Sequence, residues 1–142
     1  GYHTGADLNL NLPAQFNADK GKPIYAIGDG IVSFAGEVGG SWQGLVVIDH
    51  GPLPDGTPVF VRYAHVDNIL VQTGDPVQRG QQVAQVGESG GSRPEYRNFH
   101  LHFDISTTTI LQQNPQHWPG FDDNSVRTNY VDPRKFIQDH RP

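Results

Sequence analysis

The chain has 142 residues, a formal net charge of −5 and no cysteine. This length suits one domain with a packed core, and the acidic balance argues against a nucleic-acid-binding protein, which normally presents a basic face. Without cysteine there is no disulfide and no thiolate ligand, so any metal must be held by nitrogen and oxygen atoms. No apolar run is long enough to span a bilayer, and 17 glycines with 11 prolines favour short strands joined by tight turns.

The first candidate pair is His3 and Asp7, four residues apart. Gly5 disfavours the helix that would bring both to one face, but an extended segment that turns at Gly5 can do so equally well. Taken alone, the pair is better explained by a surface histidine and a solvated aspartate than by a functional site. The chain contains no methionine, so we expect that it begins inside a longer reading frame, with any export signal upstream.

Two β-prone runs, Ile24–Ile27 and Ile31–Phe34, flank Gly28-Asp29-Gly30 and predict a hairpin. Several glycines then predict a flexible loop around Trp42. The run Leu45–Asp49 follows, and its continuously apolar part, Leu45–Ile48, predicts a buried strand.

A turn rich in proline and glycine, residues 51–58, leads into Val59–His65, which we expect to return as an antiparallel strand. His65 ends this run beside a loop, where active-site groups are common because loops open onto clefts. His50 ends the neighbouring strand, and we interpret it as structural or, at most, as support for a functional group.

The segment Gly74–Gly87 predicts a tight turn and a strand that closes a small barrel or sandwich. The irregular stretch Glu88–Asn98 follows and is expected to overhang the site. Near the C-terminus, Thr107–Thr109 is β-prone, residues 114–124 are irregular, and Asp132 is expected to cap a short helix over Pro133–His140. We assign no role to the two histidines of this region, His117 and His140.

The most informative stretch is Phe99–Ile105, in which rings, imidazoles and aliphatic side chains alternate. On a strand this pattern places His100 and His102 on one face, while Leu101 and Phe103 point into a core. Two imidazoles close together need a partner, and a metal ion is a common one, since neutral imidazole is a standard zinc ligand.

Together with His3-x-x-x-Asp7 and Tyr63-Ala64-His65, the stretch His100-Leu101-His102-Phe103 resembles the signature of the lysostaphin-type (LytM-like) zinc metallopeptidases, which are peptidoglycan endopeptidases. Further matching stretches occur in the family order: Gly5-Ala6-Asp7, Pro23-Ile24-Tyr25-Ala26, Asp29-Gly30-Ile31-Val32, and Gly74-Asp75-Pro76-Val77 with Gly80-Gln81. Several spaced motifs in one order are far less frequent by chance than any one of them.

The resemblance implies that His3, Asp7 and His102 bind Zn²⁺ and that His65 and His100 are the catalytic histidines. Three protein ligands leave a position for water, as a catalytic zinc site requires. No H-E-x-x-H occurs in the chain, and two imidazoles can supply the proton acceptor and the electrostatic support that amide hydrolysis needs. Which histidine does which stays open.

Three departures from the family pattern concern the substrate: a long loop at Gly51–Pro58, a replaced loop at Ser89–Asn98 and a longer tail after Ile105. Loops beside a groove select the peptide, so the bond cleaved, in a glycine bridge or a D-amino-acid cross-link, stays open. Arg93 and Arg97 are candidate groups for binding a substrate carboxylate.

Three other interpretations compete with an enzyme. The first is a metal-binding but non-catalytic regulatory module that activates other wall hydrolases. Some relatives with that role have lost metal ligands, whereas all five expected positions are filled here. The Gly74–Gly87 stretch also resembles biotinyl or lipoyl carrier domains, but it lacks the lysine that they modify. The third is a structural β-module with incidental histidines.

We therefore predict a mainly β fold: an antiparallel sheet of lysostaphin-like type, with loops as walls of an open groove and a short C-terminal helix. One domain covers residues 1–142, with a core at about 2–105 and a peripheral extension at 106–142. The expected function is zinc-dependent hydrolysis of peptidoglycan peptides outside the cytoplasm by a monomer, with no nucleic acid as partner.

Overall fold

The computed structural model describes residues 6–8, 21–40, 42–87, 101–119 and 122–140, with only the backbone of residues 6–8. In these ranges nine strands form one sheet, and every strand pairing is antiparallel. The strands are β1 (Ala6–Leu8), β2 (Pro23–Tyr25), β3 (Gly30–Gly39), β4 (Gln43–Asp49), β5 (Phe60–Asp67), β6 (Pro76–Val77), β7 (Gln82–Val86), β8 (Leu101–Ser106) and β9 (Tyr130–Val131). The predicted mainly β, antiparallel fold is confirmed.

The sheet runs in the order β1-β8-β5-β4-β3-β6, with β7 joining β2 to β5 and β9 added beside β8. Strand β5 is therefore central, because it pairs with β4, β7 and β8. Its register with β8 sets Arg62 opposite Asp104 and Ala64 opposite His102. Two strands that are distant in sequence thus bring their polar residues to the same part of one sheet face.

The apolar run of β4 is buried on both faces of the sheet, as its sequence predicts. Residues 45–48 have no exposed surface. Val46 and Ile48 belong to the main core, whereas Val47 packs in a second cluster with Phe60, Leu111 and Tyr130. The second cluster forms because the C-terminal part of the chain covers the face of the sheet on which Val47 lies. With both faces covered, β4 has no need of polar residues at alternate positions.

Three short helices follow β8: α1 (Ile110–Gln113), α2 (Asp123–Asn129) and α3 (Pro133–Asp139). The predicted C-terminal helix is confirmed, since the side chain of Asp132 accepts hydrogen bonds from the first turn of α3 and Pro133 begins the helix. Helix α2 was not predicted, although Asp122 caps it by accepting the amide hydrogen of Ser125. None of the helices in the described ranges is long and apolar enough to cross a membrane.

The predicted hairpin around Gly28-Asp29-Gly30 is wrong. Strand β2 pairs with β7, and β3 pairs with β4 and β6. The segment between them is held by other loops, because the Asp29 side chain accepts the Arg79 amide hydrogen at 2.8 Å and the Asp29 carbonyl lies 2.8 Å from the His50 ring. These contacts direct β2 and β3 to different partners.

Two further local predictions are also wrong. Most of the flexible loop expected around Trp42 is strand instead, since β3 continues to Gly39 and β4 begins at Gln43. The β-prone residues 107–109 form bends that lead into α1 rather than a strand. The first difference arises because glycines that were expected to form a loop are paired in the strands: Gly36 of β3 pairs with Leu45, and Gly44 of β4 pairs with Glu37.

Candidate active site

Strands β5 and β8 present one apolar face and one polar face. Tyr63 and Phe103 face each other across the two strands and belong to the main core, with ring centroids 5.7 Å apart. The alternation of side chains along a strand therefore sends Arg62, His102 and Asp104 to the opposite face. The predicted orientation of His102 is confirmed, and its side chain is buried.

His65 reaches the same face only because β5 contains a bulge. By simple alternation it would follow Tyr63 into the core. The pairing of β4 with β5 shifts between Gly44 and Leu45, which oppose Val66 and Ala64, so His65 is the extra residue. Its φ of 59° is in the left-handed region that non-glycine residues rarely adopt. The bulge turns the imidazole back towards His102, and the ring centroids lie 5.8 Å apart.

The backbone around the bulge is fixed on both sides. The His65 amide donates to the carbonyl of Trp42 at 3.0 Å, and its carbonyl accepts from the Gly87 amide at 2.8 Å. A Cβ atom at Gly87 would lie 2.8 Å from that carbonyl oxygen, and one at Gly44 would clash with the backbone of Val66. Two glycines therefore permit the close approach that maintains this unusual backbone.

Two tryptophans border the histidine pair. The Trp42 ring is stacked near His65 at 6.2 Å and lies edge-on to His102 at 5.9 Å. Trp118 lies edge-on to both Trp42 and His102, at 5.9 Å and 6.1 Å. Trp118 is 41% exposed, so this side of the site combines an apolar wall with access to solvent.

The ring of His102 contacts the carboxylate of Asp104, which in turn contacts the guanidinium of Arg62. Nε2 of His102 is 2.9 Å from Oδ1 of Asp104, and Oδ2 of Asp104 is 2.5 Å from both Nε and Nη2 of Arg62. The side chains of Arg62 and Asp104 are fully buried. The guanidinium also lies over the Trp42 ring, 4.4 Å from its centroid.

Arg62 ties the C-terminal part of the chain to this site. Its Nη1 donates to the carbonyl of Pro115 at 3.1 Å and to that of His117 at 2.7 Å. The ring of His117 lies 2.7 Å from the hydroxyl of Tyr130, whose pKa is raised to about 12 chiefly by burial. Residues 115–118 therefore form a strap, which carries Trp118 to the edge of the site.

Four residues around His102 were not predicted from the sequence as parts of the site: Arg62, Asp104, Trp42 and Trp118. A signal for the ion pair was present, since Arg62 stands between Val61 and Tyr63 in one apolar strand and Asp104 between Phe103 and Ile105 in another. A charged residue on an apolar strand needs a buried partner of opposite sign. The two tryptophans carried no comparable signal.

The remaining predicted site residues lie largely outside the described part of the chain. His3, Arg93, Arg97 and His100 fall in ranges that are not described. Asp7 lies in β1, where its backbone is the register partner of His102. Within the described residues no group of three or more metal-ligating side chains occurs, and the proposed set draws on residues beyond them.

The surroundings of His102 nevertheless fit a metal ligand. A carboxylate oxygen can only accept, so the contact with Asp104 favours the tautomer with its proton on Nε2 and its lone pair on Nδ1. A histidine that binds a metal commonly donates its other ring N–H to a carboxylate. The adjacent β1 backbone places Asp7 next to His102 in the sheet, which suits the predicted oxygen ligand.

Among curated proteins, Lipoprotein NlpD of Yersinia enterocolitica is 33% identical over 86 residues, covering 61% of this chain and 78% of that protein. Murein hydrolase activator NlpD of Escherichia coli is 32% identical over 101 residues, covering 71% of this chain and 24% of that protein. Peptidoglycan DD-endopeptidase ShyA of Vibrio cholerae is 30% identical over 109 residues, covering 72% and 20%. The chain thus spans a quarter or less of the latter two.

The catalytic domain of the antimicrobial peptidase lysostaphin from Staphylococcus simulans has the same fold, with a TM-score of 0.65 and 23% identity over 97% of this chain and 80% of that one. The family model described as Peptidase family M23 matches residues 2–116. That range contains both site strands, the bulge at His65 and every site residue that the sequence predicted. The chain belongs to peptidase family M23.

Proposed function

We propose that this chain is a zinc-dependent endopeptidase that hydrolyses peptide bonds in the stem peptides or cross-bridges of peptidoglycan. The observation that carries the proposal is the bulge in β5, which turns His65 out of the core to within 5.8 Å of the His102 ring. Unusual backbone of this kind is retained where a function needs it. Membership of peptidase family M23 supports the same reaction class.

The ligands proposed for zinc are His3, Asp7 and His102. His102 suits this role through its bond to Asp104, and the register of β1 with β8 makes Asp7 its sheet neighbour. A bound zinc ion supplies a Lewis acid that polarises the peptide carbonyl and acidifies water. Nitrogen and carboxylate donors are ordinary ligands of zinc.

The two remaining histidines of the signature, His65 and His100, carry the proton chemistry in this proposal. An imidazole with an ordinary pKa near 6.5 can accept a proton from the attacking water and later deliver it to the leaving amine. The other imidazole donates a hydrogen bond to the carbonyl oxygen as negative charge develops there. The backbone bonds of His65 to Trp42 and Gly87 support such a role by fixing the origin of its side chain.

We propose that the peptide lies along the face bordered by Trp118. Its ring is 41% exposed beside the buried His102, so an extended peptide at the site has an apolar surface to contact. Arg93 and Arg97 stay candidates for binding a substrate carboxylate. Peptidoglycan as substrate implies action outside the cytoplasm, by a chain that we expect to be a monomer.

The second candidate function is activation of other wall hydrolases. One relative carries the name murein hydrolase activator, which specifically favours this alternative. An activator needs a surface for its partner and no functional His65. The arrangement of His65 beside His102 favours the enzyme instead, since binding a partner does not require a strained backbone beneath a histidine.

The direct test is release of soluble peptides from purified peptidoglycan. We would compare the untreated protein, protein stripped with a chelator and then given zinc, and His65→Ala. Activity lost on chelation, regained with zinc and absent in His65→Ala supports the enzyme, and sequencing the new termini identifies the bond. A zinc-loaded protein that releases nothing from several wall types, yet stimulates a wall amidase, would make the activator the better description.

A further inference from the structure

The carboxylate of Asp104 joins a buried cation to the ring of His102. One oxygen lies 2.9 Å from His102 Nε2, and the other lies 2.5 Å from two nitrogens of Arg62. Both members of the ion pair have no exposed side-chain surface. A buried ion pair is weak evidence for a stabilising role, because apolar residues of similar volume often stabilise a fold as well or better. The pair therefore needs another explanation.

We propose that Arg62 and Asp104 are positioning residues that hold His102 in the Nε2–H tautomer and fix the direction of its ring. This inference rests on the proposed function in one respect, namely that His102 is a zinc ligand. Orientation is the quantity that matters, since a metal ligand must present its lone pair along one direction. Neither residue is proposed to touch the substrate.

Arg62 fixes Asp104 because it is itself held from several sides. Its Nη1 donates to two backbone carbonyls, of Pro115 and His117, and its planar group lies over the Trp42 ring. Its Nε and Nη2 then both meet Oδ2 of Asp104. With that oxygen engaged, Oδ1 is the oxygen directed at His102, so rotation of the carboxylate is restricted.

The same contacts make the strap at residues 115–118 part of the positioning device. The family model ends at residue 116, so half of the strap lies beyond it. One of the two Arg62 bonds to the strap, the 2.7 Å contact with the His117 carbonyl, is also beyond it. This C-terminal segment, which contacts Arg62 on the same sheet face as His102, therefore helps to set the orientation of His102.

The test must separate positioning from mere support of the fold. The double variant Arg62→Met/Asp104→Leu replaces both charges with apolar side chains, which buried sites often tolerate, but removes the acceptor for His102. Asp104→Glu retains a carboxylate as the conservative variant. A matched control is Lys135→Met/Asp139→Leu, which removes an exposed ion pair with a 2.7 Å contact. Asp104→Asn, which conserves volume, replaces the double variant if that protein does not fold.

Two readouts are needed, and thermal unfolding verifies that each variant is folded. Nitrogen-15 NMR of the histidine rings in the zinc-free protein reports the tautomer of His102, and competition with a chelator reports zinc affinity. We expect the Nε2–H form in the unaltered chain. In the folded double variant or Asp104→Asn we expect a mixture of tautomers and zinc affinity lower by about 10- to 100-fold. Asp104→Glu should recover part of this loss, and the control pair should change nothing.

Unchanged tautomer and unchanged zinc affinity in the folded double variant, or in Asp104→Asn where it takes that variant's place, would overturn the inference. The tautomer measurement needs no zinc, so it also separates this inference from the proposed function. If the unaltered chain binds no zinc, the proposed function fails, whereas a tautomer shift confined to the Arg62 and Asp104 variants still supports the positioning role.

Discussion

Two histidines at opposite ends of the β4–β5 ladder, His102 and the half-buried His50, have different surroundings. At one end of the ladder, His102 pairs with Ala64 of β5. At the other end, His50 directly follows Asp49, the residue of β4 that pairs with Phe60. Nε2 of His102 lies 2.9 Å from the Asp104 carboxylate, and Nδ1 of His50 lies 2.8 Å from the backbone carbonyl of Asp29.

The two rings differ in the charge of their hydrogen-bond partners and in the residues that surround them. His102 is backed by a buried carboxylate and Arg62 and lies near a second imidazole. His50 lines a pocket that includes Phe136 of α3, and burial lowers its pKa despite the nearby Asp29 and Asp49 carboxylates. At His50 burial outweighs the carboxylates and favours a neutral, structural imidazole, whereas a buried charged partner and a neighbouring histidine mark the candidate site at His102.

The largest expected difference between the two ends is in catalysis. His65→Ala should reduce peptide turnover by about 100- to 10,000-fold, the usual contribution of a positioned acid or base. His50→Gln is the matched control and should leave turnover unchanged, because its ring contacts the Asp29 carbonyl at the other end of the ladder. Steady-state assays on one muropeptide check both variants, and equal losses would contradict the distinction.

Removing a carboxylate should lower the free energy of unfolding more at the His102 end than at the His50 end. Asp104→Ala leaves Arg62 buried without its carboxylate partner, so we expect the free energy of unfolding to fall by about 3–5 kcal/mol. Asp29→Ala removes an exposed acceptor of one amide hydrogen and should cost about 0.5–1.5 kcal/mol. Urea denaturation of the zinc-free proteins measures both changes in the free energy of unfolding. Similar losses in the two variants would contradict the expected cost of leaving Arg62 buried without the Asp104 carboxylate.

Substrate binding should depend on the aromatic wall at the His102 end only. Trp118→Ala should raise KM by about 2- to 10-fold, since an aromatic contact contributes roughly 0.5–1.5 kcal/mol, while zinc affinity stays the same. Tyr25→Ala is the control, because Tyr25 is a 52% exposed aromatic residue on β2. If Trp118→Ala instead weakened zinc binding with KM unchanged, its role would be structural support of the site.

The smallest expected effect is a pH dependence from His50. Burial lowers the pKa of His50 in the folded state below its ordinary value of 6.5. The unfolded chain then binds more protons below about pH 6.5, so the free energy of unfolding falls as the pH drops through this window. In His50→Gln the contribution of His50 to this pH dependence of the free energy of unfolding should disappear. Urea denaturation at several pH values between 5 and 7 checks it, and parallel slopes would contradict it.

Much of the fold was predictable because its signals are local. The apolar run of β4, the alternation in β8 and the Asp132-Pro133 cap of α3 each specify their own structure. The hairpin prediction at Gly28-Asp29-Gly30 was wrong for the opposite reason. Which partner a short strand chooses depends on contacts from distant loops, such as those from Arg79 and His50 to Asp29, and no local pattern encodes them.

The site was predictable in part. Alternation alone oriented His102 correctly, and His65 was expected near a cleft at the end of its strand. The bulge that turns His65 was not predictable, since it depends on the close approach of Gly44 and Gly87 from other strands and loops. The roles of His3, Asp7, His100, Arg93 and Arg97 stay predictions.

The most direct test of the central claim is a crystal structure of the zinc-loaded chain with anomalous scattering recorded at the zinc edge. We predict one zinc per chain, bound by Nδ1 of His102 together with His3 and Asp7, with Nε2 of His102 still donating to Asp104. Zinc bound through His50, or through Nε2 of His102 with the Asp104 contact broken, would contradict it.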